Sequence, residues 1–235
     1  MKAIFFITLF CCSELVTAQQ KLYPPFTKWY QDPLGFRPVE LSSAAGFLWG
    51  TAAVAACLIF TKSNPAFHKK IFFYEEAGGY FGYKPPYSFS FQNNAGLLYR
   101  LRDWMSVGAE INTIHFSDNI NDTWTFGLRP FARWYFLKGK SSRFFFEYGA
   151  GISYSLNRFP LTGTGYEWDT ARTGTKFNFS TKYGIGTEVK ISHKFYLQAG
   201  ARHFHLSNGN IKGVGRNPSY DGNGLFLGLL YTLNP

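Results

Sequence analysis

The chain has 235 residues, enough for one large domain or a closed barrel and too many for a peptide-sized scaffold. Lys and Arg number 24 against 14 Asp and Glu, a net charge of +10, yet only 16% of residues are charged while 20% are aromatic and 24 are Gly. That balance excludes a disordered chain, which needs high charge and few aromatics, and a coiled coil or ordinary helical enzyme, which needs Ala, Leu, Glu and Lys instead.

The first eighteen residues carry Lys2, an apolar run Ala3–Phe10 and the small-residue ending Val16-Thr17-Ala18, the parts of a secretory signal cleaved after Ala18. Phe10 before Cys11 argues against a lipoprotein signal, and cleavage removes one Lys and one Glu, so the exported chain stays basic. Two of the three cysteines, Cys11 and Cys12, leave with the signal, so Cys57 alone remains and no disulfide framework can form. Residues 19–70 read as an N-terminal extension, irregular and rich in Pro and aromatics at first, then the uncharged segment Leu41–Thr61. By length that segment could span a bilayer, but its Ala, Gly, Ser and Thr content favours a helix packed against a barrel or lying at the membrane. A spanning helix there predicts an inner-membrane anchor, with the lysines behind it holding the rest of the chain in the cytoplasm.

From residue 71 to the end the pattern alternates with period two. Phe177, Phe179, Tyr183, Ile185 and Val189 oppose Lys176, Asn178, Ser180, Lys182, Gly184 and Glu188, and the same division holds around Trp124, Phe126 and Leu128, around Phe144 and Phe146, and around Phe89 and Phe91. A soluble sandwich would place many Lys and Glu on the polar face; here that face is mostly Gly and Ser with isolated charges. The pattern fits a small membrane barrel whose apolar face meets lipid and whose lumen pairs Glu110, Glu147 and Glu188 with Arg129, Arg133 and Arg202. The fold expected is all-β, an eight-stranded antiparallel transmembrane barrel over residues 71–235 with a helical or irregular N-terminal extension, located in the bacterial outer membrane. Strands are predicted near 71–82, 87–101, 104–116, 123–137, 143–155, 175–190, 194–207 and 223–233, with short turns at 102–103, 138–142 and 191–193 and longer loops between them. The long-loop end is expected to face outward.

On the seventh strand the odd positions Phe195, Leu197, Ala199 and Ala201 continue into His203, His205 and Ser207, and on the eighth the outward series Leu229, Leu227, Leu225 extrapolates back to Asn223 and Asp221. Ser207, His205 and Asp221 are the parts of a nucleophile, a general base and an orienting acid. Polar residues also mark the rim where any strand leaves the membrane, and the spacing alone favours that reading.

The run His205-Leu206-Ser207-Asn208-Gly209, then Asn217 and an acid four residues on at Asp221, resembles the outer-membrane lipid A 3-O-deacylases, the PagL family. The resemblance implies an esterase that removes an ester-linked acyl chain from lipid A with Ser207 as nucleophile, His205 as base and then acid, and Asp221 as orienter. Asn208, Gly209 and Asn217 become oxyanion or substrate-positioning donors, though Asn and Gly equally suit a turn. Asp221 is one methylene shorter than the Glu usual in that family. The implied chemistry needs no cofactor and no metal; the partners are lipid A or lipopolysaccharide as substrate and the outer membrane, with no nucleic acid and no oligomer required. Arg158, Arg172, Lys212 and Arg216, in or near the outer loops, fit lipid phosphates or simple solvation. The alternative from another class is a non-catalytic structural or small-solute barrel, which needs only the lumen.

Overall fold

The computed structural model describes residues 52, 55, 56, 70–84, 86–117, 122–159, 174–209, 211–212 and 217–233. The chain divides into two units, Met1–Ile59 and Phe60–Pro235. Of the first only Ala52, Ala55 and Ala56 are described, and they are helical. The signal peptide expected over residues 1–18 and the span weighed for Leu41–Thr61 otherwise lie outside the described residues. Among those described, no helix is long and apolar enough to cross a membrane.

The second unit is a closed barrel in which each strand pairs antiparallel with its sequence neighbours and the last closes on the first. The strands are β1 (Ile71–Lys84), β2 (Pro86–Arg102), β3 (Met105–Ser117), β4 (Asp122–Lys138), β5 (Ser142–Phe159), β6 (Thr175–Lys190), β7 (Phe195–Ser207) and β8 (Tyr220–Thr232). All eight expected strands are present. Closure runs from Phe72 opposite Thr232 to Gly82 opposite Gly222, so β1 and β8 leave no open edge in the wall.

The alternation read from the sequence becomes the two faces of that wall. Phe91, Leu97, Ile111, Phe126, Leu128, Phe144, Ile152, Phe177, Ile185, Leu225, Leu227 and Leu229 are exposed on the outside. Glu76, Glu110, Glu147, Glu188, Arg100, Arg129, Arg133, Lys182 and Arg202 are buried within. This is a soluble protein turned inside out, as lipid on one face demands.

The buried charges interlock. Arg202 donates from Nε to Glu147 Oε1 at 2.5 Å and from Nη1 to Glu76 Oε1 at 2.5 Å. Arg133 reaches Glu147 at 3.0 Å, Glu188 at 3.1 Å and the amide oxygen of Gln198 at 2.7 Å. Lys182 and Arg129 share Glu110, each at 2.7 Å, and Arg100 holds Glu188 at 2.7 Å. Tyr74 also donates to Glu110 and Tyr135 to Glu188. Every one of these carboxylates is met by at least one cation, which is the condition for keeping so many charges away from water. Room for them comes from inward glycines: a Cβ on Gly228 would stand 2.6 Å from the Cβ of Glu76, and one on Gly184 would stand 2.8 Å from the Cα of Arg202.

Besides the expected small residues and paired charges, the lumen holds aromatic layers. Tyr80, Ile114, Phe116, Phe159, Phe204, Leu206 and Tyr220 form one buried cluster toward the long-loop end. Phe72, Tyr74, Leu98, Phe131 and Leu230 form another toward the short turns. Rings also lie against the cations, with Arg202 3.9 Å from the centroid of Phe226 and Lys182 4.3 Å from that of Phe131, an attraction that helps hold the ions in the lumen. At the short-turn end the hydrogen bond from Lys138 to Asp103 holds that carboxyl below the usual carboxylate range.

Two outcomes are expected from this interior. Purified barrel in planar bilayers gives no stepwise conductance, because side chains fill the bore; open-channel steps would contradict it. Arg202→Met leaves Glu76 and Glu147 short of a cation and destabilises the barrel by about 3–5 kcal/mol, read as a lower urea midpoint in detergent micelles.

Candidate active site at the outer end of β7 and β8

β7 carries its even side chains, Tyr196, Gln198, Arg202, Phe204 and Leu206, into the lumen. Its odd side chains, His203, His205 and Ser207 among them, therefore face outward at the end where the chain leaves the sheet for the loop before β8. β8 begins at Tyr220, three residues before its expected start, so Asp221 is a member of the ladder rather than of the loop. In the register of the two strands Asp221 is directly opposite His205, and Asn223 opposite His203. The extrapolated parity of Asp221 and Asn223 thus holds on a paired backbone.

The three expected side chains meet. His205 Nε2 lies 2.9 Å from Ser207 Oγ, and His205 Nδ1 lies 2.7 Å from Asp221 Oδ1. Asp221 as carboxylate can only accept, so Nδ1 carries the proton and Nε2 is the lone-pair nitrogen facing the serine hydroxyl. That tautomer lets the imidazole remove the Ser207 proton as Oγ attacks an electrophile. His205 and Ser207 are each 8% exposed and Asp221 1%, so all three side chains are buried, the carboxylate most completely.

The other expected residues gather at the turn after Ser207. The Asn208 backbone N–H donates to Asn217 Oδ1 at 2.9 Å, which ties the two ends of the loop together. Gly209 has φ of 62°, a left-handed conformation that turns the chain immediately after the site. Among the basic residues near the outer loops Arg158 and Lys212 are exposed, whereas Arg172 and Arg216 lie outside the described residues.

Two further groups lie near the acid. Ser219 donates from Oγ to Asp221 Oδ2 at 3.2 Å, and His203 Nε2 is 3.4 Å from Asp221 Oδ1 with its Nδ1 3.0 Å from Asn223 Oδ1. The sequence signal for both was parity, since Ser219 and Asp221 are two apart, as are His203 and His205.

The site is braced from behind. Phe204 and Leu206 on β7 and Tyr220 on β8 alternate with the polar side chains and enter the same buried cluster. Tyr220 further donates to the Tyr80 carbonyl at 3.2 Å and to Ser90 Oγ at 3.1 Å, linking the acid's strand to β1 and β2.

Residues 118–229 match the family described as lipid A 3-O-deacylase (PagL). No curated protein matches the chain. Among solved structures, the chain is similar to the outer membrane enzyme PagL at 14% identity and a TM-score of 0.49, covering 66% of this chain and 97% of that one. It is similar to Neisserial surface protein A at 10% identity and a TM-score of 0.48, covering 69% of this chain and 97% of that one. A de novo designed transmembrane β-barrel is matched at 10% identity and a TM-score of 0.38, covering 74% of this chain and all of that one. The stretch that matches the lipid A 3-O-deacylase (PagL) family model, residues 118–229, is the one that holds Ser207, His205 and Asp221.

Proposed function

We propose that the protein is an outer-membrane esterase that hydrolyses an ester-linked acyl chain of lipid A. The observation that carries this reading is the hydrogen-bonded series Ser207, His205, Asp221 on the outward wall of the barrel, within the segment that matches the family. A lipid substrate stays in the membrane, and a nucleophile on the lipid-facing parity at the outer end meets an acyl ester near the headgroup level without drawing it into water.

In this mechanism Ser207 Oγ attacks the ester carbonyl while His205 Nε2 takes its proton. Asp221 keeps the ring in the right tautomer and stabilises the imidazolium that forms. The carbonyl oxygen becomes an anion, and the groups assigned to it are the Gly209 N–H and the Asn208 side-chain amide, which adjoin the nucleophile in the chain. Asn217 acts by holding the turn through its bond to the Asn208 N–H. The imidazolium then protonates the departing sugar oxygen, leaving an acyl-serine. Water, activated by the same imidazole, releases the fatty acid and restores Ser207. The filled lumen disfavours the small-solute barrel, because the side chains that would line a pore instead bind one another.

Detergent-purified wild type incubated with lipid A is expected to release fatty acid, followed by mass spectrometry. Ser207→Ala, still folded, lowers that rate by about a thousandfold or more. Equal release by the two proteins removes Ser207 from the mechanism. Asp221→Asn, which keeps the shape but reverses the preferred tautomer of His205, lowers kcat by about 10³–10⁴-fold. Full activity in that variant would take the acid out of the site.

A further inference from the structure

We infer that Ser219 is a positioning residue for this site: its hydroxyl fixes the second oxygen of Asp221 so that the first stays on His205. This inference rests on the reading of Ser207, His205 and Asp221 just proposed, but its geometry stands apart from any substrate. Asp221 Oδ1 accepts from His205 Nδ1 at 2.7 Å, and Oδ2 accepts from Ser219 Oγ at 3.2 Å. Both hydrogen bonds are buried, with Asp221 1% and Ser219 8% exposed.

The carboxylate needs such a restraint because a second imidazole competes for it. His203 Nε2 is 3.4 Å from the same Oδ1, and His203 is itself engaged through Nδ1 with Asn223 Oδ1 at 3.0 Å. A turn about the Cβ–Cγ bond of Asp221 that carries Oδ1 toward His203 weakens its bond to His205. An acid that shifts toward His203 no longer fixes the tautomer of His205, and Nε2 loses its standing as the acceptor of the serine proton. A donor on Oδ2 opposes that turn, because rotating the carboxylate breaks its own bond as well.

The local backbone explains how Ser219 reaches. It precedes the first residue of β8, so its chain is not yet held in the ladder, and its hydroxyl lies within hydrogen-bond distance of Asp221 Oδ2. An aspartate carries its carboxylate close to its own backbone, within range of a side chain as short as serine. Ser219 touches neither His205 nor Ser207 in any of these bonds; it acts through the acid.

The test uses the full chain in micelles and two scales. The first is the far-downfield proton of His205 Nδ1, observed by NMR with imidazole nitrogen labelling and identified by its loss in His205→Gln. The second is kcat and KM for lipid A. Ser219→Ala is expected to broaden or abolish the downfield proton and to lower kcat about tenfold with KM within about twofold. Ser219→Thr, which keeps the hydroxyl, restores both. Should Ser219→Ala fail to fold, Ser219→Cys keeps the volume, weakens the donor and is read on the same scales with the same expectation. A wild-type downfield proton in the variant lacking the hydroxyl overturns the inference, as does equal damage by Ala and Thr, which marks packing alone. A rise in KM with kcat unchanged also overturns it, since that marks a substrate contact. Absence of acyl release by wild type defeats the proposed function, whereas the downfield proton still decides the role of Ser219.

Discussion

Hydrocarbon offers no partner to a backbone N–H or C=O, so a sheet that crosses a membrane must close on itself. Here the pairing of β1 with β8 supplies that closure. Once the ladder is a ring, each strand has one face toward lipid and one toward the bore, and side chains are sorted by parity alone. The outward positions are mostly apolar, and most of the charged groups in the middle of the strands go inward. The charge cluster of Arg133, Arg202 and Lys182 with Glu76, Glu110 and Glu147 follows from this sorting. It is the arrangement by which a narrow ring can hold several ions without water.

The same sorting makes the outer end of β7 unusual. His203, His205 and Ser207 continue an outward series that begins with Phe195 and Leu197, so polar groups occupy lipid-facing parity only where the strand reaches its end. Behind them Phe204, Leu206 and Tyr220 are packed into the bore's aromatic layer. Polar geometry on one side of the wall and dense packing on the other are two halves of one alternation. The distances between His205, Ser207 and Asp221 are therefore set by strand register, a rigid determinant, rather than by the loop that connects the strands.

Much of this was legible in the sequence because a lipid face and a lumen face differ sharply in composition. The eight strands, the outward parity of His205 and Ser207, and the inward placement of Glu147, Arg133 and Arg202 all follow from period two. Other features were hidden for identifiable reasons. The stretch Ser219-Tyr220-Asp221-Gly222-Asn223 has the composition of a turn, yet β8 begins within it, because the register with β7 and the burial of Tyr220 outweigh local propensity. β5 continues to Phe159, beyond its expected end, since Phe159 stacks on Phe116 with centroids 4.2 Å apart. The aromatic layers were concealed because a bulky apolar side chain at an inward position looks, in sequence, like a break in alternation; Phe131 is the example. Ser219 was invisible for a simpler reason, that its only signal is a spacing any two polar residues can share.

The outward parity of Ser207 has a kinetic consequence. A group on the wall of a barrel is approached by molecules that travel in the plane of the leaflet, so encounter is two-dimensional and its rate is governed by mole fraction at the surface rather than by bulk concentration. Diluting a reactive lipid with inert lipid at constant total amount slows such encounters, and adding more vesicles of the same composition does not speed the reaction of a given embedded molecule. On the proposed function, turnover at Ser207 is coupled to leaflet composition and lateral fluidity, quantities that belong to the membrane and not to the protein.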